Sequence, residues 1–135
     1  MSLRTKSREF AMQMLFQWEM SQQEPAKLEA KFWKGARAAA QTRTFANQLF
    51  EGAVHDSTAL DELISKHAAN WRLERLSVID RAILRLALHE MRATDTPPKV
   101  VINEAVELAK KFSSEEAGGF VNGILDTCRK AFQEK

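Results

Sequence analysis

The chain has 135 residues and carries 20 lysines and arginines against 18 aspartates and glutamates, a net charge of +2. That length suits one domain, and the balanced charge rules out a polycation that binds nucleic acid by bulk attraction alone. Hydrophobic residues at 44% can supply a core, while 5 glycines, 3 prolines and no tyrosine argue against a turn-rich all-β chain.

The single cysteine, Cys128, excludes an internal disulfide and a cysteine-rich zinc site. No run approaches the roughly 18 to 20 consecutive apolar residues of a membrane span. The opening MSLRTKSREF lacks the apolar run of a secretory signal, so a cytoplasmic, reducing compartment is expected. Residues 1–68 carry 9 basic and 8 acidic side chains and residues 69–135 carry 11 and 10, so neither half is a basic arm.

Residues 6–20 read as an amphipathic helix with Ala11, Met14, Leu15 and Trp18 on one face and Lys6, Glu9, Gln13 and Gln17 on the other. SQQEPA at 21–26 is a loop, with Pro25 placed to begin a helix. Residues 26–39 are helix-prone, with Leu28, Phe32 and Trp33 as the expected contacts. Arg43 to His67 suits one long helix loosened near Gly52. The stretch 68–77, with Trp71, Leu73 and Leu76 as anchors, is the expected boundary between an N-terminal sub-bundle of about 1–70 and a C-terminal one of about 71–135.

Ser77 to Arg92 is apolar around most of its circumference, which predicts a buried helix. Thr96 before two prolines suits an N-cap, and the next helix, roughly 97–112, places Val101, Ala105, Leu108 and Phe112 on one face. Ser113 with Glu116 forms a capping-box pattern. The last helix, about 115–132, buries Val121, Ile124 or Leu125, Cys128 and Phe132. The fold class is all-α, with six to seven helices in two small packed bundles.

Catalytic chemistry finds little footing. His55, His67 and His89 lack a histidine or cysteine partner at helical ligand spacing, so no metal or cofactor is expected. Glu115 and Glu116 are adjacent and point apart, which suits dipole compensation better than paired acid–base work. Cys128 lies on an apolar stripe and reads as core.

Three local features suit nucleic acid. Arg4, Lys6 and Arg8 crowd the start of the first helix, where cations and free N–H groups can hold phosphates; the plain alternative is a solvated terminus. Arg81, Arg85, His89 and Arg92 form a polar stripe on the apolar helix, either facing RNA or pairing with Glu104 or Glu107. Asp80 stands beside it and can accept from a base amino group. Phe120 and Asn122, set among Gly118, Gly119 and Gly123, offer a stacking ring and a hydrogen-bonding amide; core packing is the alternative for Phe120.

The ordered strings LSVIDRAILRLALHE (76–90), PKVVINEAVELAKKF (98–112) and FVNGILD (120–126), preceded by REFAMQMLFQW (8–18), resemble the NusB family of transcription antitermination factors. The resemblance implies an all-helical, non-enzymatic RNA-binding factor. Such a factor pairs with NusE, a small ribosomal subunit protein, and recognises boxA in ribosomal RNA leader transcripts. With other Nus factors it helps RNA polymerase read through terminators. Family members occur as monomers or homodimers.

Carried over by position, the resemblance assigns phosphate contacts to Arg4, Lys6 and Arg8. It assigns a base contact to Asp80, and stacking and hydrogen bonding to Phe120 and Asn122. Arg85 stays structural. Thr5 and Ser7 thin the arginine-rich start, and Phe16 and His89 stand where tyrosine is frequent. Two rivals remain. One is the RNA cytosine methyltransferase to which such domains are fused, disfavoured because the chain ends at Lys135. The other is an adaptor that binds protein alone.

Overall fold

Helix α1 (Leu3–Ser21) begins where the Ser2 hydroxyl accepts from the Thr5 amide at 3.0 Å, the bond that satisfies one orphan donor of the first turn. It ends at Gln22, whose left-handed backbone (φ 56°, ψ 26°) lets its N–H reach the Trp18 carbonyl at 2.8 Å. The computed structural model describes residues 2–68 and 76–133. Its remaining helices are α2 (Pro25–Lys34), α3 (Ala40–His55), α4 (Ser57–His67), α5 (Val78–Ala93), α6 (Pro98–Phe112) and α7 (Glu115–Gln133), with no strand among the described residues.

The expected helix over 43–67 is two helices, and the break falls at Asp56 rather than at Gly52. Gly52 lies inside α3, where the His89 ring packs on its backbone: a Cβ there would stand 2.1 Å from His89 Nε2. The glycine is therefore a packing contact between α3 and α5, not a loosened turn. Asp56 closes α3 and opens α4, and its carboxylate lies 3.3 Å from His89 Nδ1.

Two caps also differ from expectation. Helix α6 starts after Pro97 with no side-chain cap, and the Thr96 amide donates to Thr94 Oγ1. Ser113 closes α6, and Ser114 takes the capping role on α7 by accepting from the Ala117 amide at 3.0 Å.

Helix α5 is the axis of the molecule. Ser77 accepts from the Asp80 amide at its N-terminus, and every residue from Ala82 to Glu90 is buried. It packs on α1, α3, α4, α6 and α7, and α6 and α7 pack on each other. Buried residues of all seven helices form one connected core, from Met14 and Leu28 through Phe50 and Ile64 to Leu84, Leu108 and Leu125. Each such aliphatic side chain contributes roughly 1.5–3 kcal/mol on burial.

On α7, Val121, Ile124, Leu125 and Cys128 are all buried, and Phe132 packs against the core edge. Burial pushes the Cys128 thiol up to about 11, so it is held as an inert thiol. The expected anchors Trp71 and Leu73, and the boundary between sub-bundles, fall at residues 69–75, outside the described residues; Ala68 and Leu76 on either side are buried.

Candidate nucleic-acid interface

The three cations that open α1 have three different fates. Arg4 is exposed, and its guanidinium lies 4.4 Å from the centroid of the Phe45 ring on α3. Lys6 is half-exposed and donates to Glu9 at 3.2 Å; Glu9 in turn accepts from Lys111 of α6 at 2.6 Å. Glu9 is buried rather than on the solvent face expected for it. Burial alone would raise its carboxyl, but Lys111 and Lys6 outweigh that and hold it below the usual range.

Arg8 is 5% exposed. Its Nε and Nη2 donate to the two carboxylate oxygens of Glu90 at 2.8 and 2.6 Å, and its Nη1 donates to Glu104 at 2.8 Å. Burial alone would lower its pKa, but Glu90 and Glu104 hold the guanidinium above its ordinary value. The phosphate contact expected at this position is replaced by a buried bidentate pair, the geometry for which arginine is suited. Glu104 also accepts from the Thr5 hydroxyl, so α1, α5 and α6 are joined at one carboxylate cluster.

The polar stripe of α5 pairs inward, with partners other than those expected. Arg85 donates to both carboxylate oxygens of Asp61 at 2.7 and 2.9 Å and to Glu19 at 2.9 Å. Arg81 lies 3.0 Å from Glu19. Glu104, one of the two partners expected for this stripe, instead holds Arg8. Arg92 is exposed beside Leu63 and Phe132.

Asp80 is 6% exposed, and its Oδ1 has no hydrogen-bond partner among the described residues. As placed, it faces inward at the start of α5 rather than outward to a base.

On α7, Phe120 is half-buried and Asn122 is exposed. Two positions on a helix stand about 200° apart, so ring and amide flank opposite sides of one outer face. Between them lie Gly119 and Gly123, both exposed, where an added Cβ would meet nothing within 4 Å. The result is a smooth strip of helix backbone with a ring at one edge and an amide at the other.

Gly118, on the Asn122 side, is buried under the side chains of Lys110 and Val106 of α6. The lysines ending α6 gave no signal in the sequence beyond helix-end charge, and only the packing of α6 on α7 brings Lys110 to this strip.

Helix α6 thus links the parts. One side of it carries Glu104 and Lys111 toward α1, and the other carries Val106 and Lys110 toward α7. The structure places Arg4, Lys6, Phe120 and Asn122 on the surface or its edge, and Arg8 and Asp80 inside. Among the described residues no group of three or more histidines, cysteines and carboxylates is placed to hold a metal, and no helix is long and apolar enough to cross a membrane.

Among the described residues the chain is all-helical, and its polar features are a paired interior seam and an open helix face, the build of a binding factor. The sequence model of the NusB family matches residues 5–130. The NusB transcription antitermination protein of Koribacter versatilis is 47% identical over 126 residues, covering 92% of this chain and 86% of the relative. Among solved structures, T. maritima NusB superposes with a TM-score of 0.83 at 36% identity, covering 94% of this chain and 90% of that one. A chain from the crystal structure of antitermination factors NusB and NusE in complex with dsRNA gives 0.84 at 30% identity, covering 97% and 98%. The chain belongs to the NusB family. It is a transcription antitermination factor, not an enzyme.

Proposed function

We propose that this chain binds boxA-type single-stranded RNA of ribosomal RNA leader transcripts jointly with NusE, in the cytoplasm, and so acts on RNA polymerase through the other Nus factors. The observation that carries this reading is the outer face of α7. A half-buried ring and an exposed amide bracket a strip of helix with no side chains of its own. Every base presents a π-face to such a ring, and an amide reads an unpaired base edge. The similar chain in the crystal structure of NusB and NusE with dsRNA supports the NusE and RNA parts of the reading.

In this reading Arg4 and Lys6 supply phosphate charge, Phe120 stacks one base, and Asn122, on the opposite flank, hydrogen-bonds a different base edge or the RNA backbone. Arg8 and Asp80 act through the fold, the first by fixing α1 against α5 and α6, the second at the start of α5. A near-neutral chain in which Arg8, Arg81, Arg85 and Arg129 are paired internally needs a partner and a stacking site, because bulk attraction is weak.

The test is co-purification with NusE followed by titration of boxA RNA against a scrambled sequence. Phe120→Ala is expected to lose about 1–3 kcal/mol of boxA binding, the usual loss for a stacking aromatic. NusE association with no preference for boxA over the scramble would instead support the protein-only adaptor.

A further inference from the structure

We propose that Lys110 is a phosphate-contact residue of the α7 face, and that the bare backbone at Gly118 lets its stem lie across that helix. The inference rests on the RNA reading above and adds a residue and a geometric device to it.

The first observation is the glycine itself. Gly118 lies in the interior of a helix with an ordinary negative φ, so no turn or left-handed backbone calls for it. Alanine there would favour the helix by roughly 1 kcal/mol. What alanine would meet is Lys110: an added Cβ would lie 3.1 Å from its Cγ and 3.2 Å from its Cε, with Val106 Cγ1 at 3.5 Å. Two stem carbons that close mean the lysine stem lies against the helix backbone while the residue itself stays exposed.

The second observation is the charge state of the neighbourhood. Lys111, the next residue, is bonded to Glu9 at 2.6 Å, and Lys6, Arg8, Arg81, Arg85, Arg129 and Lys130 all have carboxylate partners. Lys110 has none among the described residues, although Glu115 and Glu116 begin the helix it lies on.

A free lysine side chain carries about 2 kcal/mol of rotamer entropy that binding must overcome. Pinning the stem removes part of that cost before RNA arrives. Gly118 precedes Asn122 by one helical turn on the same flank, so the pinned cation stands on the amide side of the glycine strip. Phe120 stands on the other.

The experiment measures the salt dependence of boxA RNA binding by the full chain with NusE. For Lys110→Gln the expected result is a slope of log K against log salt that shrinks by close to 0.7, and an affinity about threefold to fivefold lower at physiological salt. Lys110→Arg keeps the wild-type slope. Gly118→Ala shrinks the slope in the wild-type background and adds nothing in the Lys110→Gln background.

A wild-type slope for Lys110→Gln, with boxA binding still weakened by Phe120→Ala, overturns the proposal and leaves the RNA reading standing. Loss of boxA preference in the wild-type chain overturns both. Where Gly118→Ala does not fold, the Gln and Arg variants at 110 decide.

Discussion

Arg8 and Glu90 meet where α1 crosses α5, both more than nine-tenths buried, and each finds the other's atoms at 2.6 to 2.8 Å. On the outer face of α7, by contrast, Asn122, Gly119 and Gly123 are all exposed, and the two glycines have open space where a Cβ would be. The seam is held by charges that have already found partners within the chain. The α7 face keeps its polar group and its bare backbone open. In this molecule an ionised side chain is informative about binding only once its internal partners have been counted. Arg4 and Arg8, one turn apart on the same helix, fall on opposite sides of that division.

The largest expected effect breaks the seam. Arg8→Ala leaves Glu90, at 1% exposure, as a buried carboxylate without its two charge-assisted bonds. Removing one partner of such a pair costs about 3–5 kcal/mol, to be read as a lower urea midpoint at unchanged slope. Arg4→Ala loses only an exposed cation–π contact with Phe45, about 0.5–1 kcal/mol. Equal losses for the two variants would erase the distinction between seam and surface.

The helices were legible in the sequence because their apolar residues recur at helical spacing. The buried sides of α1, α5, α6 and α7 therefore lie where Leu15, Leu84, Leu108 and Val121 put them. What the sequence hid were contacts between residues far apart in the chain. Arg8 reads as one of three terminal cations until Glu90 and Glu104, more than 80 residues away, close on it. Glu9 falls on the polar side of α1, but α6 brings Lys111 over it.

Gly52 looks like a weak point in a long helix, and only the His89 ring shows why it is there. Phe120 and Asn122 were visible as a glycine-flanked pair. Their positions on opposite flanks follow from helical geometry once the register of α7 is fixed by Val121 and Leu125.

Glycine substitutions sharpen the same contrast at smaller scale. Gly52→Ala forces a Cβ to within 2.1 Å of the His89 ring and is expected to cost about 1–3 kcal/mol as an overpacked contact. Gly119→Ala meets no atom within 4 Å and is expected to stabilise the chain by up to about 1 kcal/mol through helix propensity, while weakening boxA binding if RNA lies close to that backbone. Thermal melts check the opposite signs. A loss of stability for Gly119→Ala would show that the α7 face is packed within the chain and not open.

A pH-dependent effect probes the rule behind the seam, that charge taken out of water in this fold must be neutralised. On α2, Glu29 lies against Glu51 of α3, and no donor among the described residues reaches its buried Oε2. Burial, and then the hydrogen bond and charge of Glu51, push the Glu29 carboxyl up to about 8. Here neutrality comes from a retained proton, where Arg8 and Glu90 achieve it by pairing.

The folded chain then holds a proton that the unfolded chain has released above the ordinary glutamate range, near 4.5. Stability from this group is full below that range and declines as pH rises, until it is lost through about pH 8. Glu29→Gln keeps a neutral hydrogen-bond donor toward Glu51 and has no proton to lose. The variant is therefore expected to gain on the wild type between pH 5 and about pH 8, by at most one proton's worth of slope, and to level off above that. Urea melts across that interval measure it. Parallel pH profiles for the two proteins would mean that Glu29 is ionised at neutral pH, with water reaching the α2–α3 contact as it reaches the surface of α7.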